Sequence, residues 1–272
     1  MSLLPSPDKV AALVEAIADE VIMPSFQGLS DDQIHWKSAG DPVTEIDLAT
    51  ERELRKALGG LIPGAVLVGE EGEGKSIGSQ DDDYVWLIDP IDGTRNFIEG
   101  SVEFCSMVAL IRRGECVLAV IHAPRRGITA LAERGSGATL GDGPLRLDPI
   151  AIDGLDDHEL VGQINFMLAD ASLRDDLRKQ ARARFQRIDK LRCAGLDLVD
   201  QAQAKRHFSV YRNLWSWDHA PGVLVLCEAG GAVTILPGFQ AYQPLARVHG
   251  IVTASSPSLA GRISEMMQRQ QI

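Results

Sequence analysis

Apolar residues recur at helical spacing over residues 8–24, where Val10, Leu13, Val14, Ile17, Val21 and Ile22 mark one face. Pro5 and Ser6 precede that face and Pro24 ends it, so the spacing predicts a packing helix. Residues 30–44 break the pattern. They are polar and irregular, and Lys37, Ser38, Gly40 and Asp41 suggest a mobile loop. A second helix is predicted over 45–58, lined by Ile46, Ala49, Leu54, Ala57 and Leu58. Thr44 suits its N-cap, and Glu45 and Asp47 suit the positive end of its dipole. Two short apolar runs, 65–68 and 84–88, read as buried strands. Between them, 73–83 is glycine-rich and acidic and reads as an exposed loop. Runs at 105–111, 117–121 and 128–132 read as antiparallel strands, the first two joined by a hairpin at Arg112-Arg113-Gly114-Glu115.

The pattern changes after a cluster of turn formers at 146–158. From there the chain alternates: strand 160–164, helix 170–185, strand 187–189, helix 195–204, strand 207–210, helix 217–229 and strand 231–235. Alternation of this kind indicates an α/β second half after an α+β first half. The expected division is 1–147 and 148–272. A chain of 272 residues fits one large domain or two intimately packed halves, and 45% hydrophobic content supports a substantial core.

Charge and cysteines narrow the partners. A net charge of −11 argues against binding a nucleic-acid backbone. A small phosphate ester stays open if bound cations invert the local field. Cys105, Cys116, Cys193 and Cys227 are scattered without C-x-x-C spacing, so neither a zinc site nor a redox pair is indicated. Charges interrupt every apolar run near the N-terminus and no segment has membrane-spanning character, so the expectation is a cytoplasmic protein.

Candidate chemistry lies where the elements end. The run at 84–88 leads into Asp89-Pro90-Ile91-Asp92-Gly93-Thr94. Pro90 lacks an N–H and is expected to stop the strand ladder there. Two carboxylates so close repel unless a cation or proton lies between them, and hard cations such as Mg²⁺ favour such oxygens. Gly93 permits close backbone approach, and the N–H groups after it can face an anion. The run at 65–68 likewise ends in Gly69-Glu70-Glu71, and Asp218 opens the helix at 217–229. Taken singly, each has a plain structural reading. Asp89 and Asp92 could be solvated turn residues, Asp47 a first-turn acid and Asp218 an N-cap.

Together, Asp41-Pro42-Val43-Thr44-Glu45-Ile46-Asp47, Gly69-Glu70-Glu71, Asp89-Pro90-Ile91-Asp92-Gly93-Thr94-Arg95-Asn96-Phe97 and Trp217-Asp218 with Glu228-Ala229-Gly230-Gly231 resemble the inositol monophosphatase-like, magnesium-dependent, lithium-sensitive phosphatases. The resemblance spans about residues 10–255. It implies a layered α/β/α/β/α sandwich, α/β (α+β) in class. It implies two or three Mg²⁺ ions held by Glu70, Asp89, Asp92, Asp218 and the Ile91 carbonyl. Gly93 and Thr94 would hold the phosphate, and Asp47 and Thr94, with Glu70, would form the catalytic set acting on the attacking water. It also implies a homodimer and a small phosphate-ester substrate, with Asp218 near that ester.

Two positions depart from the family pattern. Tyr211 stands where inositol-cleaving members carry a glutamate that contacts the sugar hydroxyls, which makes Tyr211 a substrate-contact candidate and questions myo-inositol phosphate. Arg95 replaces a commoner threonine and is expected to meet a second anionic group or a neighbouring acid. The leading expectation is a phosphomonoesterase for a polyol or sugar-like phosphate of the inositol-1-phosphate type. Histidinol phosphate, a 3'-phosphonucleotide and fructose 1,6-bisphosphate remain rivals within the family. A regulatory binding protein on the same fold is the rival of another class. His219 could touch substrate, although local packing at a helix terminus is the plainer reading.

Overall fold

The computed structural model describes residues 4–38, 40–72, 78–79, 81–169, 171–237 and 242–269. The first helix forms as α1 (Pro7–Ile17), with Ser6 Oγ accepting from the Lys9 N–H at 3.3 Å. A π turn (Ala18–Ile22) and a 3-10 turn (Met23–Ser25) continue it to its expected end. The expected loop over 30–44 is instead a two-stranded antiparallel ribbon, β1 (Ile34–Ser38) and β2 (Asp41–Thr44). Most β1 side chains face solvent, so the ribbon has no apolar period by which to be read. Helix α2 (Glu45–Leu61) follows directly. Most of the acidic loop expected over 73–83 lies outside the described residues.

A seven-stranded sheet gathers β3 (Val66–Gly69), β4 (Tyr84–Asp92), β5 (Cys105–Arg112), β6 (Glu115–Ala123), β7 (Ile128–Glu133), β8 (Gly137–Leu140) and β9 (Gly143–Leu145) in chain order. Only the β3–β4 pair is parallel. Between β4 and β5 comes the short helix α3 (Thr94–Ile98). Pro90 does not stop the ladder. Asp89 pairs with Met107 and Asp92 with Cys105, so β4 carries one residue more than β5 across this step. The bulge accommodates the proline and resets the strand's two-residue alternation.

The second sheet runs β11–β10–β12–β14–β13. Its strands are β10 (Val161–Ile164), β11 (Arg187–Ile188), β12 (Phe208–Leu214), β13 (Ala232–Leu236) and β14 (Val248–Ala254). Helices α4 (Pro149–Asp153), α5 (Arg174–Arg184), α6 (Ala194–Ala202), α7 (Ser216–Glu228) and α8 (Pro257–Arg269) complete the chain. The alternation foresaw this half as far as β13, but not β14 or α8.

Alternate residues of β4 sort the layers. Trp86 and Ile88 pack with Val10, Val14, Leu54 and Leu58, so α1 and α2 cover one face of the large sheet. Val85 and Leu87 pack with Leu196, Val199, Leu224 and Val225, so α6 and α7 cover the other. The far side of α7 meets the second sheet, where Val223 joins Tyr211, Val248 and Ile251. The outer face of that sheet packs Phe208, Val210 and Val252 against Leu177, Leu259 and Ile263 of α5 and α8. The result is the α/β/α/β/α sandwich. Helix α7 is apolar nearly all round because both flanks are buried between sheets. Among the described residues, no helix is long and apolar enough to cross a membrane.

Candidate active site

The bulge in β4 determines where the central aspartates point. On a regular strand, residues three apart face opposite sides of the sheet. The extra residue returns Asp92 to the side of Asp89 and Leu87, the side covered by α6 and α7. Asp92 Oδ2 there accepts the Gly195 N–H at 2.6 Å and the Cys193 thiol at 3.3 Å. Gly195 has to be glycine at this approach, because a Cβ would stand 2.8 Å from Cys105 Sγ and 3.3 Å from Asp92 Oδ2. Cys105 and Cys193 lie 3.7 Å apart, sulfur to sulfur. Burial raises both thiols, so they are protonated donors toward Asp92 and poor thiolate ligands.

Each remaining carboxylate is positioned by the end of an element. Glu70 follows β3, its N–H donating to the Ile88 carbonyl at 3.2 Å. Asp218 lies in the first turn of α7, and its Oδ2 accepts the Trp215 N–H at 2.7 Å. Asp47, in the first turn of α2, takes the Thr44 N–H at 2.8 Å and the Thr44 hydroxyl at 2.5 Å on Oδ2. This capping box leaves Asp47 Oδ1 for the Thr94 hydroxyl, 3.2 Å away. Thr94 Oγ1 also lies 3.0 Å from the Ile91 carbonyl. Gly93 holds φ at +89°, and a Cβ there would meet the Glu103 carbonyl at 2.9 Å. The tight left-handed turn into α3 therefore needs glycine.

The carboxylates destabilise one another. Burial, then Glu70, Asp92 and Asp218 push Asp89 well above its ordinary range. Burial, then Glu70 and Asp92 do the same to Asp218. Burial lifts Asp92 to about 6 against the Gly195 N–H and the Cys193 thiol. Burial also lifts Asp47 to about 6 and Glu71 to about 7. Among the described residues, no hydrogen-bond donor meets the buried Asp89 Oδ1. A buried acceptor oxygen without a donor, among carboxylates that repel, is what a hard divalent cation satisfies. Glu70, Asp89, Asp92 and Asp218 therefore fit such an ion by the chemistry of the donor set, while among the described residues the ligand atoms grouped within 4.8 Å of one another at Asp92 are those of Cys105 and Cys193.

One cation of the protein already approaches this cluster. Lys37 Nζ, from β1, lies 2.7 Å from Glu70 Oε1 and 2.8 Å from Glu71 Oε1. Burial disfavours its ammonium, but Glu70 and Glu71 outweigh that and hold the amine charged. The sequence placed Lys37 in a mobile loop, and only the ribbon reveals its role. Arg95, expected to meet an anion, instead donates to the Gly40 carbonyl at 3.0 Å and ties down the ribbon's turn.

A cavity of about 270 Å³ opens beside the carboxylates. Asp92, Asp218, Cys193, Tyr211, Asn165 and Lys190 are among its lining residues. Tyr211 thus lines this cavity, but its hydroxyl is already engaged, donating to Asp197 Oδ2. Asp197 is fully buried and is also held by Arg206, Ser209 and Gln201. The sequence reading missed this network, although Asp197, an acid in the first turn of the largely apolar helix α6, was a visible signal. His219 packs locally, between the Tyr242 hydroxyl at 2.7 Å and the Ala246 carbonyl at 2.9 Å.

A layered sandwich with one buried carboxylate, Asp89, and the part-exposed Glu70, Asp92 and Asp218 beside an open cavity fits the class of metal-dependent phosphatases that hydrolyse phosphate monoesters. The chain belongs to the inositol monophosphatase family, whose sequence model it matches over residues 7–271. It is 32% identical over 265 residues to an inositol-1-monophosphatase of Rhizobium meliloti, covering 94% of this chain and 95% of that protein. It is 34% identical over 230 residues to the Nus factor SuhB of Pseudomonas aeruginosa, covering 81% and 82% respectively. The solved inositol monophosphatase of Thermotoga maritima superposes with a TM-score of 0.80 at 25% identity, over 97% of this chain and 98% of that one.

Proposed function

We propose that this phosphatase uses Mg²⁺ to hydrolyse a small polyol or sugar-like phosphate. Glu70, Asp89, Asp92, Asp218 and the Ile91 carbonyl would hold two or three ions. When bound, these supply Lewis-acid stabilisation of the phosphoryl oxygens and of the leaving alkoxide. The remaining work falls to the protein's own groups. The N–H groups of Gly93 and Thr94 face the phosphate and offset its charge. Thr94 donates its hydroxyl proton to Asp47 Oδ1 and turns its lone pairs toward the attacking water. Asp47, lifted to about 6 by burial, serves as a base near neutral pH. The Thr44 cap holds its other oxygen.

The observation that carries this reading is the donorless oxygen of Asp89 among carboxylates that raise one another's pKa. The test is a panel of phosphate monoesters assayed for phosphate release with Mg²⁺ and with EDTA. Metal-dependent release on at least one ester is expected, and release that EDTA leaves intact refutes the reading. Inositol 1-phosphate, histidinol phosphate, a 3'-phosphonucleotide and fructose 1,6-bisphosphate belong on that panel, and sedimentation of the same preparation checks the expected homodimer.

The likeness to the SuhB protein supports a second reading, a regulatory role through a bound partner. A pull-down at physiological salt, read beside the ester panel, separates the two. Capture of a partner with no turnover on any ester favours regulation.

A further inference from the structure

Helix α2 carries a second buried acid one turn beyond Asp47. Glu51 is only 4% exposed, and the i, i+4 spacing sets it on the same face as Asp47. Its Oε2 accepts the Glu71 N–H at 2.7 Å, from 20 residues further along the chain. Its Oε1 accepts from Arg55 Nε at 2.7 Å, and Arg55 Nη1 in turn donates to the Leu67 carbonyl at 2.9 Å. The Glu51–Arg55 pair therefore grips the end of β3 at two points, one before Glu70 and one after it.

The neighbouring glycines make room for this grip. A Cβ at Gly69 would overlap the Glu51 carboxyl, and one at Gly72 would overlap the Arg55 guanidinium. An ion pair of this spacing adds little to stability at a helix surface, and burying its carboxylate costs solvation. Pairing with Arg55 alone does not explain an acid placed inside, whereas the Glu71 N–H does. That N–H belongs to the peptide leaving Glu70. The peptide entering Glu70 is held by the Glu70 N–H, which donates to the Ile88 carbonyl at 3.2 Å. Peptides are planar, so fixing both flanking units leaves the Cα–Cβ bond of Glu70 one direction. In that direction the Glu70 charge acts on both Asp89 and Asp218. Strand β4 supplies one of the two anchors, and Glu51 supplies the other.

Resting on the metal reading above, we infer that Glu51 is a positioning residue for the cation: through the Glu71 N–H it aims the Glu70 carboxylate, without being a ligand itself. A turn cap with no bearing on the ion is the plain alternative, and the two roles move different quantities.

Melting of the metal-free protein across a Mg²⁺ titration gives the ion's midpoint without reference to turnover. Glu51→Ala should raise that midpoint by about ten- to a hundredfold, the usual loss when a group behind a metal ligand is removed. Glu51→Gln keeps an oxygen within reach of the Glu71 N–H and should hold the wild-type midpoint. Glu51→Asp keeps the charge but falls one methylene short, and should weaken the ion by about tenfold. Tighter Mg²⁺ binding by Glu51→Gln than by Glu51→Asp supports the inference even where Glu51→Ala does not fold. The reverse order, in which charge alone counts, overturns it. Variants that melt lower without metal but keep the wild-type midpoint also overturn it, and leave Glu51 a turn cap. A wild type whose melting ignores Mg²⁺ defeats the metal reading, and this inference with it. A wild type that responds, with all three variants sharing its midpoint, defeats the inference alone.

Discussion

Asp89 is built against the stability of its own fold. Its carboxyl is buried, one oxygen has no donor among the described residues, and three other acids raise its pKa. The physics gives a signature that separates a functional role from a structural one. Asp89→Asn should lower turnover by at least about a thousandfold, because a neutral amide cannot hold the cation that screens the phosphoryl charge. In EDTA the same variant should melt no lower than the wild type, since it removes a repelling charge. Calorimetry paired with the activity assay checks this, and a fall in melting temperature alongside lost turnover would reassign Asp89 to the scaffold. Tyr211→Phe should show the reverse. Its hydroxyl donates to buried Asp197, so its loss should cost about 1–2 kcal/mol in denaturant unfolding. The catalytic constants should change little, because the ring that lines the cavity remains. The acids were legible in the sequence because they fall at the ends of runs whose period is plain. The use of Tyr211 was not, since its partner lies 14 residues earlier, on another element.

Elements bring these residues together through two devices, and the sequence disclosed only half of each. Strand β4 was readable from its apolar run, but its bulge was not. Pro90 forbids a regular ladder bond, and a chain end and a bulge are equal solutions to that constraint. The structure takes the bulge, which puts Asp89 and Asp92 on one face where a regular strand would have set them apart. The second device is the ribbon of β1 and β2, which was read as a loop because its exposed strand has no apolar alternation. It delivers Lys37 to Glu70, and the lysine there competes with any cation that Glu70 would hold. Lys37→Met should therefore lower the Mg²⁺ concentration for half-maximal activity by several-fold. It should also lower the melting temperature in EDTA, where Glu70 and Glu71 lose their counter-charge. Titration of activity against Mg²⁺ checks the first effect, and an unchanged midpoint would show that Lys37 does not oppose the ion.

At the scale of the whole molecule, the sandwich encloses a store of repulsion that should make stability depend on pH and metal together. Asp47 and Asp92 are lifted to about 6 and Glu71 to about 7, all above their unfolded values. A carboxylate with a raised folded pKa binds more protons in the native state. Its contribution is fully present below the unfolded value near 4 and is lost as pH rises through the folded value. Metal-free protein should therefore gain stability as pH falls from about 7.5 toward 5. His219 opposes this, because burial lowers it to about 4 and the unfolded chain takes up its proton first. At pH 5 that histidine costs about 2 kcal/mol, whereas each lifted acid returns about 1–3 kcal/mol. Burial also lowers His122 and His207, which oppose the rise with His219, whereas Asp89 and Asp218 act in the same direction as the three acids, so the acids prevail over the three histidines. Melting in EDTA across this range should show a rise toward acid pH. Excess Mg²⁺ should remove it, because a bound cation makes the charged carboxylates the favoured form. Curves of the same slope with and without Mg²⁺ would mean that the acids and the ion do not share one site.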